Sequence, residues 1–172
     1  MMKSRSERLR PRLLVIGQGE HGKDEAAAIL ARRLSLAHIS SSEFAGRRAV
    51  WPLVSDLYTD FAAAYADRRR HRDLWFHALA AYNLRPGPSL AEQLLEEHAI
   101  YVGLRGRPEF ERARAMFDAV IWVDASERLG ASVEPLDLGP GDADLVLDNN
   151  GTLEDLERNA AFIAALVGAR WP

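Results

Sequence analysis

Regular patterning begins at Leu13-Leu14-Val15-Ile16, a continuous apolar run that stops at Gly17-Gln18-Gly19-Glu20-His21-Gly22. A short run that is apolar at every position and closed by glycine predicts a strand covered on both faces, as in a parallel sheet. From Lys23 to Leu34 the apolar positions return at helical spacing among alanines, which predicts a helix. Leu36 to Ser40 predicts a second strand, ending in the polar cluster Ser40-Ser41-Ser42-Glu43. From Phe44 to Glu97 the pattern is helical, with Phe61, Tyr65, Leu74, Trp75, Leu79 and Tyr82 marking apolar stripes. Two prolines and a glycine break it between Asn83 and Ser89, and Leu90 to His98 predicts the next helix. Ala99 to Leu104 and Ala119 to Ala125 predict two more strands around a short helix at Pro108–Phe117, whose proline suits a first turn. Gly130 to Asp142 reads as a loop, Leu145-Val146-Leu147 as a fifth strand and Asp148-Asn149-Asn150-Gly151 as a turn. The last helix opens with Thr152-Leu153-Glu154-Asp155, in which Thr152 and Asp155 form a variant capping pair. Strands alternating with helices predict an α/β fold of about five mostly parallel strands. The helical stretch 44–98 then forms an insertion between strands 2 and 3, over one edge of a single domain spanning residues 1–172.

Composition narrows this picture. At 172 residues and 48% hydrophobic, the chain supports one sizeable core and is too apolar to be disordered. No apolar run approaches the roughly 18 residues of a membrane span, and the charged start, Met1 to Arg10, lacks a signal-peptide stretch, so a cytosol is the expected compartment. With no cysteine there is no disulfide framework, thiolate metal site or thiol nucleophile. The net charge of −3 excludes a generally basic nucleic-acid binder. Of 22 basic residues only Lys3 and Lys23 are lysines, an arginine-for-lysine bias that suggests a GC-rich genome and makes Lys23 conspicuous.

The segment Gly17-Gln18-Gly19-Glu20-His21-Gly22-Lys23-Asp24 fits two templates, the bland alternative being a plain glycine turn between strand and helix. As G-x-x-x-x-G-K it is a P-loop with Asp24 in place of the usual Ser or Thr; as G-x-G-x-x-G it is a dinucleotide fingerprint, with Glu43 about 20 residues on as the ribose acid. Both use glycines to bring backbone N–H groups against phosphate oxygens at a helix N-terminus. Lys23 favours the P-loop, where an ammonium neutralises charge between the β- and γ-phosphates, and 172 residues leave no room for a dehydrogenase's catalytic domain. Asp24 either contributes to a Mg²⁺ site or simply favours the positive end of the helix dipole. ATP and Mg²⁺ are the expected ligands.

Other candidates follow from the shared rim of a parallel sheet. Arg105, after the third strand, could stabilise a transferring phosphoryl group, while Arg112 and Arg114 read more simply as a solvated helix face. Glu43, at the end of the second strand, could position an acceptor hydroxyl or a hydrated metal, or serve as a cap or surface residue. Asp124, ending the fourth, could touch metal or cap the following turn. Arg47-Arg48 and Arg68-Arg69-Arg70-His71-Arg72, with Trp51 and Trp75, form a basic and aromatic group that suits a phosphodiester chain with stacked bases, or else a core ring beneath a solvated face. No histidine shows metal-ligand spacing with another.

The chain resembles the phage deoxynucleoside monophosphate kinase-like P-loop proteins. The matching segments are Gly17–Asp24 with its G-K-D, Tyr101-Val102-Gly103-Leu104-Arg105 with Glu109 and Phe110, Val120-Ile121-Trp122-Val123-Asp124, and Asp148-Asn149-Asn150-Gly151-Thr152-Leu153. Within that family it is most similar to the 5-hydroxymethyluracil DNA kinases of phages with hypermodified thymine, through Arg72-x-x-Trp75, Tyr82-Asn83 and a short lid at 126–143. The resemblance implies a P-loop kinase three-layer sandwich that moves the γ-phosphate of ATP to the 5-hydroxymethyl oxygen of a base in DNA, in a host cytoplasm. It implies nucleotide contacts from Gly17, Gln18, Gly19, Glu20, His21, Gly22, Lys23, Asp24 and Arg128. Lys23, Arg105 and Glu43 are then catalytic, Glu43, Arg47, Arg72, Trp75 and Asn83 bind the acceptor, and Asp24 and Asp124 hold metal. Two departures stand out: Gly103 replaces a strand-end acid of the metal site, and the lid is acidic, with only Arg128 near it. The rival acceptor is a free deoxynucleoside monophosphate; a non-catalytic rival is a nucleotide-sensing DNA-binding module.

Overall fold

The computed structural model describes residues 10–104, 106–130 and 136–170. The chain divides into two compact units, one running to His38 and resuming at Leu95, the other spanning Ile39–Leu94. No helix among the described residues is long and apolar enough to cross a membrane.

The first unit is built on a four-stranded, all-parallel sheet. Its strands are β1 (Leu13–Ile16), β2 (Ile100–Val102), β3 (Ala119–Asp124) and β4 (Leu145–Asp148), in the spatial order β2-β1-β3-β4. Register is set by pairs such as Leu14 with Tyr101 and Val120, and Ile121 with Leu145. All four β1 side chains are fully buried, which explains the unbroken apolar run: this strand has no solvent face. Each such side chain contributes about 1.5–3 kcal/mol relative to exposure.

One face of the sheet carries Leu13, Val15, Ile121, Val123 and Leu147. They join a single cluster with α1 (Lys23–Leu34), through Ala26, Ala27, Ile29 and Leu30, and with α9 (Leu153–Arg170), through Leu156, Ala160, Ile163 and Val167. Alanine on the facing positions of both helices lets them lie close to the strands. Leu14, Ile16, Val120 and Trp122 occupy the opposite face and are equally buried. There Tyr101 rests on Phe117 at 6.5 Å, beyond α7 (Arg107–Ala113), whose Phe110 is also buried. Burial on both faces is compatible with a three-layer sandwich.

The expected second strand, Leu36–Ser40, does not form. Ser35 is left-handed and caps α1, and a single ladder bond, from the Ala99 amide to the Ala37 carbonyl at 3.0 Å, follows. The other end is committed elsewhere, because the Ser40 side chain caps α2 (Ser41–Ala45) by accepting the Glu43 amide. Both ends of a five-residue segment are thus claimed by helix caps, leaving too little extended chain for a ladder. Thr152 and Asp155 do form the expected reciprocal cap of α9: the Asp155 carboxylate accepts the Thr152 amide, and the Thr152 hydroxyl accepts the Asp155 amide.

The second unit contains α2, a π-turn at Gly46–Val50, α3 (Trp51–Val54), α4 (Phe61–Asp67) and α5 (Arg72–Leu84). Its small core gathers Val50, Val54, Ala64 and Ala78, with Trp51, Tyr58, Trp75 and Leu79 packed around them. The helix α6 (Leu90–Glu97) follows and runs across the boundary between units.

Candidate functional site

In the sheet order, the connections leaving β1 and β3 diverge, because β2 lies on one side of β1 and β3 on the other. The crevice beyond the carboxyl ends of such neighbouring strands is where α/β sheets bind ligands. The segment after β1 there is Gly17–Gly22. Gly17, with φ +148°, crosses β3 so closely that a Cβ would lie 2.5 Å from the Val123 carbonyl oxygen. Glu20 is left-handed at φ 65°, a conformation that costs a non-glycine residue about 1–2 kcal/mol and therefore has to be held by its surroundings. Gly22, at φ +83°, is the N-cap of α1 and offers no side chain to its first-turn amides. The start of a twelve-residue helix thus carries a positive partial charge without an intramolecular side-chain cap.

Lys23 arches back so that its ammonium donates to the Gln18 carbonyl at 2.6 Å. Glycine-permitted turns, a helix start without a side-chain cap and an ammonium over the loop are features that suit an anion, should one bind there.

Behind the loop, His21 is 1% exposed. Its Nδ1 accepts the Ala125 amide at 3.0 Å and its Nε2 stands 3.4 Å from the Gly130 carbonyl. Asn149, also buried, donates from Nδ2 to the His21 carbonyl at 2.9 Å, while its own amide bonds the Asp124 carbonyl at 2.7 Å. The loop is therefore tied to the ends of both β3 and β4. In sequence the only signal for this bracket is that Asn149 sits in the turn Asp148-Asn149-Asn150-Gly151 directly after β4.

Asp24 is exposed in the first turn of α1. His38 is pushed below its ordinary pKa chiefly by burial; Asp24 opposes that shift and His98 reinforces it. Asp124 closes β3, and its carboxylate accepts the Ser126 amide at 3.2 Å and the Ser126 hydroxyl at 3.1 Å, the capping alternative. Among the described residues no three His, Asp or Glu side chains are grouped to hold a metal ion. A Mg²⁺ held mainly by phosphate oxygens needs only one or two carboxylates, and exposed Asp24 beside Lys23 fits that demand.

Arg128 lies on α8 (Ser126–Leu129), and its Nε donates to the Asn149 carbonyl at 3.4 Å. Arg105 and residues 131–135 of the expected lid lie outside the described residues. Arg114 forms two 2.8 Å contacts to Asp144, which in turn accepts the Val120 amide, so this arginine braces a strand end. Glu109 was not singled out as a site residue, yet it is a half-buried carboxyl that burial pushes up against the opposing pull of Arg112.

The acceptor candidates fall in the second unit. Glu43 does not end a strand: it sits in α2, paired with Arg47 at 2.8 Å, because the strand that would have carried it is absent. Arg47 also lies 4.1 Å over the Phe61 ring. Trp75 packs inward, its ring filling the space where a Gly46 Cβ would stand and meeting Tyr65 edge-on at 5.8 Å. The Asn83 side chain accepts the Leu90 amide at 2.9 Å and so serves the start of α6. Arg72 opens α5 and is exposed. The aromatic ring that faces water is Phe76, 59% exposed and one helical turn beyond Arg72, close in sequence to the exposed turn Arg69-Arg70-His71. Its neighbour Trp75 lies instead on the inward stripe with Ala78 and Leu79.

No family model matches the chain, and no curated protein matches it.

Proposed function

We propose that the protein is an ATP-dependent phosphotransferase whose nucleotide loop is Gly17–Asp24. The observation that carries this reading is the left-handed, side-chain-free N-cap at Gly22, followed at once by Lys23 whose ammonium folds over the loop. Amides of residues 19–23 and the α1 N-terminus would bind the β- and γ-phosphates, and Lys23 would exchange the Gln18 carbonyl for phosphate oxygens. Asp24 would hold Mg²⁺, which when bound offsets phosphate charge. Arg105 is the candidate for stabilising the group in transfer.

The proposed acceptor is the 5-hydroxymethyl oxygen of 5-hydroxymethyluracil in DNA. That oxygen attacks the γ-phosphorus, the bond from γ-phosphorus to the β–γ bridging oxygen breaks, ADP leaves, and the hydroxyl proton passes to solvent or a base. Support for a polymeric acceptor is the resemblance noted above together with the exposed Arg69-Arg70-His71-Arg72 turn and Phe76, a charged and stacking combination suited to a nucleic-acid strand. Glu43 is not retained as the residue that positions the hydroxyl, since its carboxylate is engaged by Arg47.

The test is transfer of label from γ-labelled ATP, run in parallel on DNA containing 5-hydroxymethyluracil and on free deoxynucleoside monophosphates. Label on the DNA supports the proposal, and label on mononucleotide alone moves the acceptor to the rival reading. ATP-dependent DNA retention with label on neither would indicate a nucleotide-sensing binding module instead.

A further inference from the structure

The four-residue helix α8 is too short to hold itself, since one turn fixes several dihedral angles in return for very few hydrogen bonds. Its two ends are Ala125, the N-cap, and Gly130, the C-cap. The buried imidazole of His21 reaches both of them, accepting the Ala125 amide through Nδ1 and facing the Gly130 carbonyl through Nε2. One tautomer, neutral with its proton on Nε2, satisfies both contacts; this assignment follows from the Ala125 N–H, which requires an acceptor. On its other flank α8 is fixed by Asn150, whose Oδ1 accepts the amides of Glu127 at 2.9 Å and Arg128 at 3.4 Å.

Arg128 completes a closed circuit. Its Nε donates to the Asn149 carbonyl, and the Asn149 side chain donates to the His21 carbonyl. An apolar residue could fill the position of His21, but it could not bond both ends of the turn that carries an arginine. We propose that His21 is a positioning residue that locks α8 to the nucleotide loop, so that Arg128 and the loop meet a triphosphate as one preorganised site. The inference rests on the reading of residues 17–24 as a triphosphate-binding loop. It adds that loop and arginine are energetically coupled, and that the imidazole is the coupler.

A double-mutant cycle on the full chain tests this, with ATP affinity measured by titration calorimetry and folding followed by thermal melting. His21→Leu and Arg128→Ala are each expected to weaken ATP binding about tenfold, and the double variant also about tenfold rather than about a hundredfold, because both remove one arrangement. Multiplicative losses, or unchanged affinity in His21→Leu, would overturn the coupling. Should His21→Leu fail to fold, His21→Asn keeps an acceptor near the Nδ1 position while losing the Nε2 contact. In that background Arg128→Ala is expected to cost less affinity than in the wild type, and an equal cost would overturn the proposal. Wild-type protein that does not bind ATP would instead overturn the triphosphate reading itself, which separates the two failures.

Discussion

Replacing Gly22 by alanine perturbs the loop where it meets Asn149. Two costs can be worked from the structure. The residue stands at φ +83°, where an L side chain is strained by about 1–2 kcal/mol. The added Cβ would also lie 2.5 Å from Nδ2 of Asn149, about 1 Å inside ordinary contact. The amide must then move away, and the atom it would abandon is the buried His21 carbonyl, whose loss of a partner costs about 1–3 kcal/mol. Together Gly22→Ala should destabilise by about 2–5 kcal/mol, a large part of the roughly 5–15 kcal/mol that holds a typical domain. Urea unfolding monitored by far-ultraviolet circular dichroism measures it. Asn149→Ala alone should cost about 1–3 kcal/mol, and Gly22→Ala/Asn149→Ala less than the sum, because the carbonyl can lose its partner only once. A Gly22→Ala loss within about 1 kcal/mol of zero, or strict additivity, would refute the reasoning.

Lys23→Ala should abolish ATP binding while leaving the circular dichroism spectrum intact, since its ammonium bonds a loop carbonyl and crosses no core; retained affinity would contradict its role. Phe76→Ala should weaken retention of 5-hydroxymethyluracil DNA without lowering the melting temperature, whereas Trp75→Ala should lower the melting temperature by removing a ring packed on Gly46 and Tyr65. Gel retardation with parallel melts separates the two, and stacking of one base on Phe76 would account for a loss of about 1–3 kcal/mol. Asp155 is held down to about 2 from 3.8, first by the Thr152 amide, then by the Thr152 hydroxyl and Arg158. Its folded pKa is depressed, so its contribution is present above pH 3.8 and fades as pH falls towards about 2. The stability difference between wild type and Asp155→Asn should therefore shrink as urea titrations move down through that window, and a gap independent of pH would exclude the ionised cap as its source.

Much of the first unit was legible in the chain itself. Leu13–Ile16 could be read because a strand without a solvent face carries no polar position, and Lys23–Leu34 because glycine marks its start and alanine its packing face. The Thr152–Asp155 cap was legible because its chemistry is local. Leu36–Ser40 was misread because apolar content reports burial, whereas a ladder also needs free ends, and Ser35 and Ser40 had both become caps. Glu43 lost its assigned place with that strand. Trp75 turns inward with Ala78 and Leu79 on one helical stripe, and Gly46 leaves the room its ring occupies. Asn149 escaped notice as a site residue because its partner, the His21 carbonyl, lies 128 positions away. The loop's glycines were legible as tight turns ahead of a helix, but the bonds that tie it to the ends of β3 and β4 are long-range and no local pattern encodes them.

The central claim is that main-chain amides and one ammonium at Gly17–Asp24 grip a triphosphate. Following backbone amide resonances of the isotope-labelled chain while ATP is added tests it most directly. The account predicts that the largest shifts fall at residues 19–23, are reproduced by inorganic triphosphate and vanish in Lys23→Ala. Shifts that leave those amides still and cluster elsewhere would contradict it.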